Sequence, residues 1–327
     1  MKKGMKSLVA ILVMLGCISF VWGGNAILFA EETDYPTKTI EIYVGFSPGG
    51  SQDTTGRVFA QVLERQLGVP VIIINKPGAS GSIGLSHVAQ AKPDGYTLCY
   101  PLAPFELLKK IEEPSLPFSS EDLTFLGSFH RYYVMVTVRA DSPWATFQDF
   151  VEYGRKNVIK FASAGAIQRV CQAELGKKYG IQVKTIPYPG GGPSVRALLG
   201  GHVDAVTISS GPTGAYVRSG DLKWLVHLGP ERNPVYDHIP SIKEMPYDEA
   251  LYNGGWTIFV GPKGLPKAVA TKLNEELQRA AQSKEVRKQF HVYGWDYKYL
   301  TPEQCVKEWE ADKVYFTEQL KELGIID

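Results

Sequence analysis

Ile40-Glu41-Ile42-Tyr43-Val44-Gly45-Phe46-Ser47-Pro48-Gly49-Gly50-Ser51-Gln52-Asp53-Thr54-Thr55 carries three local signals in close succession. Residues 40–44 are a short β-branched and aromatic run, which reads as a strand. The glycine-rich segment after it reads as a tight turn. Beyond the turn Val58, Phe59, Val62, Leu63 and Leu67 recur at helical spacing, so one face of a helix is apolar. The unit is therefore strand, glycine loop, helix. It repeats: residues 69–74 form an almost continuous apolar run, expected as a strand covered on both faces. Another glycine-rich loop and a helix then lead to Tyr96-Thr97-Leu98-Cys99-Tyr100. Repeated β-loop-α units predict an α/β fold with a mainly parallel sheet.

A second block with the same grammar begins near residue 140. Ile159-Lys160-Phe161-Ala162 reads as a strand, Ser163-Ala164-Gly165-Ala166 as a small-residue turn, and residues 167–179 as a helix. A strand over 183–186, the turn Pro189-Gly190-Gly191-Gly192, a short helix opened by Pro193 and a strand over 203–208 follow. The C-terminal part is helical: residues 267–281 are amphipathic, and Thr301-Pro302-Glu303-Gln304 has the form of a capping box opening a last helix to about residue 323. Two α/β blocks and a helical tail predict a cleft between two lobes, where ligand sites concentrate.

The 327 residues suffice for one large domain or two ordinary ones. Thirty-five basic and 34 acidic residues balance to +1, so no basic excess points to nucleic acid and no acidic tail to disorder. Residues 1–30 read as a secretory signal peptide, with Lys2, Lys3 and Lys6 before an apolar run and the first acids at Glu31 and Glu32. Cuts after Ala26 and after Ala30 both fit, and the onset of polar chain favours the second. Met14-Leu15-Gly16-Cys17 is similar to a lipobox, but the apolar residues that follow Cys17 are unlike a lipoprotein tether. Gly23 and Gly24 interrupt the run before it could serve as an uncleaved anchor. Cys99, Cys171 and Cys305 are odd in number and widely spaced, so they read as buried apolar side chains rather than a disulfide framework. The six histidines are scattered singly and predict neither metal nor cofactor.

Three loops carry the candidate chemistry. In the first, Phe46, Ser47, Gly49, Gly50, Ser51 and Asp53 stand between a strand and a helix. Glycines admit a ligand to the backbone, and the first N–H groups of the helix, aided by its dipole, suit an anion such as a carboxylate. Ser163, Ala164, Gly165 and Ala166 have the same context, as does Gly190 in the third loop. Each loop alone could be an ordinary turn; three such loops converging on one cleft would hold an anion by N–H groups instead of an arginine clamp. Two segments mimic other chemistry. Gly45-Phe46-Ser47-Pro48-Gly49 fits the G-x-S-x-G of a hydrolase elbow, which would make Ser47 a nucleophile, yet Pro48 has no N–H to give an oxyanion hole. Gly78, Gly81 and Gly84 are spaced GxxGxxG, not GxGxxG, and suit close helix–strand packing better than a dinucleotide.

Tyr35-Pro36-Thr37-Lys38-Thr39-Ile40, Phe46-Ser47-Pro48-Gly49-Gly50-Ser51-Gln52-Asp53, Asn75-Lys76-Pro77-Gly78-Ala79-Ser80-Gly81 and Lys92-Pro93-Asp94-Gly95-Tyr96-Thr97-Leu98 together resemble the extracytoplasmic receptors of the tripartite tricarboxylate transporters, the Bug family. The likeness continues through Phe161-Ala162-Ser163-Ala164-Gly165, through Leu198 to Asp204, and through Gly261-Pro262-Lys263-Gly264-Leu265-Pro266. It implies a type II periplasmic-binding-protein fold: two Rossmann-like lobes, a hinge and an interlobe ligand cleft. Lobe 1 would hold residues 31–136 and 256–327, and lobe 2 residues 137–255. It also implies a periplasmic, monomeric, non-enzymatic protein that passes a small carboxylate to the membrane subunits of a transporter; sequence alone does not separate this from a sensor feeding a membrane kinase. The first two loops, Gly190 and Asp204 would then touch the ligand. The chain departs from the family pattern at Ile167, Gln168, Cys171 and Ile208, which suggests a more apolar second wall and a ligand less charged than citrate, unless both isoleucines face the lobe's core. Arg169 is near enough in sequence to face the cleft, but reads rather as a solvated helix residue. The hinges are expected near 135–140 and 254–260.

Overall fold

β-Branched and aromatic runs form strands here because alternate side chains can enter two apolar layers, and glycine-rich turns return the chain to helices that cover them. A computed structural model of the chain describes residues 34–188, 190–245 and 255–327; the expected signal peptide, the lipobox and Pro189 lie outside them. Tyr35–Asp327 form one unit, built on two sheets. In the first, β1 (Ile40–Val44), β2 (Val71–Asn75) and β3 (Thr97–Cys99) are parallel, with α1 (Ser51–Leu67), α2 (Ser82–Ala89) and α3 (Ala103–Glu112) in the connections. β4 (Leu123–Tyr132) then runs antiparallel to two late strands, β10 (Gly255–Pro262) and β11 (Asp296–Leu300), and the full order is β11-β4-β10-β3-β1-β2.

The second sheet contains β5 (Val134–Arg139), β6 (Val158–Ser163), β7 (Gln182–Pro187), β8 (Ala205–Ser209) and β9 (Leu222–His227) in the order β7-β6-β8-β5-β9. Helices α4 (Phe147–Lys156), α5 (Ala166–Tyr179), α6 (Gly191–Leu199) and α7 (Ser210–Arg218) connect them. The chain returns to the first sheet through β10 (Gly255–Pro262), α8 (Lys267–Ala281), α9 (Lys284–Tyr293), β11 (Asp296–Leu300) and α10 (Pro302–Glu322). The α/β class, the two Rossmann-like lobes and most elements agree with the sequence reading to within two residues.

Three differences have clear physical causes. β2 ends its sheet, so Ile72 is 43% exposed instead of covered on both faces. The chain crosses between sheets at Tyr133, the residue between β4 and β5, so a boundary at 136 would cut a strand. Residues 135–139 cannot hinge either, because β5 is paired on one side with β8 and on the other with β9; residues 255–260 are likewise held inside β10, while residue 254 lies outside the described residues. The chain is closely packed at this crossing: an added Cβ on Gly229 would lie 2.2 Å from the Tyr133 ring, and one on Gly255 1.7 Å from that of Tyr132. One apolar core cluster includes residues of both lobes, from Tyr43 and Trp256 to Phe161 and Val170, with Trp309 and Phe316 of α10 among them.

Candidate ligand cleft

β1, β6 and β8 run with their C-terminal ends toward the space between the lobes, so the helices that follow start there. That space is a cleft of about 490 Å³. Its first-lobe wall includes Phe46, Gly50, Ser51 and Gln52, and its second-lobe wall Ala164, Ile167, Gln168, Gly190 and Ser209. Four helix N-termini, those of α1, α5, α6 and α7, therefore open on one cavity. None of the four has a side-chain cap. Of the other helices, α4, α9 and α10 are capped by Thr146, Ser283 and Thr301, while α2, α3 and α8 have no side-chain cap. Uncapped N–H groups and the dipole ends behind them leave a cavity suited to negative charge. No lysine, arginine, histidine, aspartate or glutamate lines it among the described residues.

The first loop is held by side chains behind it. Asp53, 2% exposed, accepts from the Gly49 N–H (2.8 Å), from Asn75 Nδ2 (2.9 Å) and from Arg57 (2.9 Å). Burial would raise its pKa, but the Arg57, Gly49 and Asn75 donors outweigh that and hold it below the usual carboxylate range. Asn75 Nδ2 also donates to the Phe46 carbonyl (3.0 Å). Asp53 thus shapes the loop from behind and is not among the lining residues. Ser47 and Gly49 are exposed outside the cleft, and no histidine among the described residues bonds Ser47. Gly81 and Gly84 bring α2 against Gly45, where an added Cβ would stand 2.4 Å from the Gly81 Cα; this is the close packing that the GxxGxxG spacing suggested, and it sets Ser80 at the cleft.

In the second lobe Ala164 and Gly190 line the cleft, whereas Gly165 and Ala166 line a smaller recess of about 160 Å³ at its rim. Ser163 is buried and donates to the Gly165 carbonyl (3.0 Å), so its hydroxyl fastens the turn. Asp204 is a correction. It precedes β8, while the cleft lies at that strand's other end, at Ile208 and Ser209, some 16 Å away at about 3.3 Å per residue; its carboxylate accepts from the Lys160 N–H (2.8 Å) and ties β6 to β8. Arg169 is a helix residue 40% exposed to solvent and outside the main cleft lining. It donates to Glu112 of α3 (2.8 Å), bridging the lobes at the rim recess. Ile167 and Ile208 are 2% and 5% exposed and belong to the core, yet their edges also form cleft wall.

The residues missed from sequence come from distant positions. Leu102, just before α3, and Phe105 within it supply apolar wall, and Phe105 meets Phe46 edge-to-face at 5.9 Å. Tyr132 and Val134 flank the crossing, and Trp295 stacks on the buried His130 at 4.2 Å. Burial pushes His130 down to about 3, so it is a neutral support for that indole. No local pattern marks these side chains as ligand-facing; each reads as ordinary core.

A model of the tripartite tricarboxylate transporter family receptor matches residues 55–322. Protein BugT of Bordetella pertussis (strain Tohama I) is 32% identical over 280 residues, covering 83% of this chain and 84% of that protein. The crystal structure of a TctC solute binding protein from Polaromonas is similar at 27% identity and a TM-score of 0.74, over 88% of this chain and 99% of that one. The structure of the periplasmic binding protein BugD is similar at 28% identity and a TM-score of 0.77, over 89% and 99%.

Proposed function

The chain belongs to the receptor family of the tripartite tricarboxylate transporters, and we propose that it captures a small carboxylate between its lobes and presents it to the membrane subunits of such a transporter. The carrying observation is the convergence of four uncapped helix N-termini on one cavity that has no charged side chain in its lining. A carboxylate there is held by N–H groups that water no longer serves, while a cation finds no acidic partner. The apolar wall of Phe46, Leu102, Phe105, Ile167, Ile208 and Trp295 suits a ligand body with less charge than citrate, a mono- or dicarboxylate with an aliphatic or aromatic frame. Binding without catalysis is the reading we favour because Pro48, directly after Ser47, has no N–H to give an oxyanion hole. We further propose that the protein acts as a periplasmic monomer; no helix among the described residues is long and apolar enough to cross a membrane.

The test is a thermal-shift panel of carboxylic acids, followed by calorimetry on the best acid and its neutral amide. A ligand that binds only the folded chain raises the melting temperature. Charge-assisted hydrogen bonds are each worth roughly 1.5–3 kcal/mol, so the amide should bind about ten- to a hundredfold more weakly for each one lost. Equal affinities, or tightest binding to a cation, would rule out the anion site.

A further inference from the structure

Glu106, in the first turn of α3, reaches back with Oε1 to the Leu102 N–H (3.3 Å). Asp149 makes the same reach to the Thr146 N–H at the surface of α4, where that donor holds it below the usual carboxylate range. Glu106 is 1% exposed instead, and its Oε2 has no partner. Around it stand Gly81, where an added Cβ would lie 2.3 Å from Oε1, Cys99 of β3 and Tyr132 of β4, whose hydroxyl is also buried without a partner. Beyond Tyr132 lie Asp312 of α10 and Cys171 of α5, while β10 has no titratable side chain. Among the described residues no cation bonds the carboxyl. Lys109 pairs with Glu113, Arg169 with Glu112 and Arg131 with Glu308, Lys110 donates to the Pro114 and Leu116 carbonyls, and His87 of α2 lies against the Tyr43 ring. An ionised carboxylate so enclosed is costly, and burial pushes Glu106 well above the usual carboxylate range. Ser80, beside Gly81, lines the cavity together with Leu102 and Tyr132, so the Glu106 carboxyl lies one residue layer behind the cleft wall.

We propose that capture of a carboxylate is proton-linked: the anion binds while Glu106 is a neutral acid, and ionisation of Glu106 drives the anion out. The inference rests on the carboxylate reading above and deepens it. The described wall holds no charged side chain, so nothing there offsets a negative charge one layer behind it. Two like charges at ~8 Å and an effective dielectric of ~20 change an affinity by roughly thirtyfold. The sign follows from linkage. Below the pKa of Glu106 in the empty protein the affinity is constant. Above it the affinity falls by up to about tenfold per pH unit, because each anion must bring a proton with it. The fall ends once Glu106 is ionised in the complex as well. Capture therefore takes up a proton with the anion, and release returns it. Glu106 itself touches no ligand and acts through its charge.

The experiment measures affinity by calorimetry from about pH 6.5 to about pH 10, a range that includes the ~8–9 reached by buried glutamates. The probe is whichever of succinate, malate and 3-phenylpropionate raises the melting temperature most. The wild type should lose at least about tenfold in affinity across the range. Glu106→Gln, which keeps the shape and cannot ionise, should hold a flat profile at the wild type's low-pH value. Asp312→Asn, which keeps Glu106, should retain the decline. On the falling limb, calorimetry of the wild type in buffers of different ionisation heat should show proton uptake on binding, a readout that needs no folded variant. A wild-type affinity that ignores pH, or binding without proton uptake, overturns the proposal and leaves the carboxylate reading in place. So does the same decline in a folded Glu106→Gln protein, or its loss in Asp312→Asn, since either places the titrating group elsewhere. Failure of every acid to bind at any pH would overturn both.

Discussion

Gly50 shows how narrowly one position can separate folding from binding. Its φ of −72° is open to any residue, and a Cβ there would meet nothing closer than the Ser47 carbonyl at 3.6 Å, yet Gly50 lines the cleft at the start of α1. Replacing it by valine should leave stability within about 0.5 kcal/mol, as for other surface positions, while the branched side chain occupies the place of the carboxylate. Calorimetry on the best carboxylate of the panel should then show at least a tenfold loss with an unchanged circular-dichroism spectrum; undiminished affinity would mean that the loop is only a turn. Gly255 is the opposite case. A methyl group there would overlap the Tyr132 ring at the lobe crossing, so alanine at 255 disturbs the fold itself.

Helix α10 ties the lobes together and carries a proton-sensitive contact. Asp312 accepts from the indole N–H of Trp256 (2.8 Å). Burial raises its pKa to about 7, with Glu308 adding to the rise and the Trp256 bond and Arg131 opposing it. A carboxyl whose folded pKa stands above its unfolded value contributes stability that is fully present below about pH 4. That stability is lost as pH climbs through 7, at about 1.4 kcal/mol for each unit over which the group titrates. Asp312→Asn keeps an acceptor for Trp256 and cannot ionise. Melting temperatures from pH 4 to 8 should therefore fall for the wild type relative to the variant; parallel curves would show that Asp312 does not ionise differently in the folded chain.

Both edges of the cleft are bridged between lobes. Arg169 meets Glu112 on one side; on the other, Ser210 Oγ donates to the Tyr293 carbonyl (2.5 Å) and Asn233 Nδ2 to the Gly294 carbonyl (2.8 Å). Opening of the lobes would part these contacts, and the crossing at Tyr133 is short enough to act as the pivot. Arg169→Ala should raise the radius of gyration of the ligand-free protein in small-angle scattering. It should also weaken binding by no more than a few-fold, since a half-exposed ion pair is worth about 0–1 kcal/mol. The best carboxylate should contract both proteins. A radius insensitive to Arg169 and to saturating ligand would argue against lobe closure.

The strand–glycine–helix units at residues 40–67 and 159–179, the capping box at Thr301 and the burial of three unpaired cysteines were legible in the chain, because periodicity and turn chemistry are local and each residue there answers to neighbours within a few positions. The glycine loops at the starts of α1, α5 and α6 were legible for the same reason. Local pattern could not tell that Asp53 and Ser163 brace those loops from behind, that Asp204 sits at the far end of its strand, or that Arg169 reaches across to Glu112. Nor could it pick Leu102, Phe105, Tyr132 and Trp295 out of the apolar residues as cleft wall. Periodicity records which side of an element faces apolar packing. Which end of one sheet faces which end of another depends on the crossing at Tyr133 and on α10 packing across both lobes, and these contacts join residues more than a hundred positions apart.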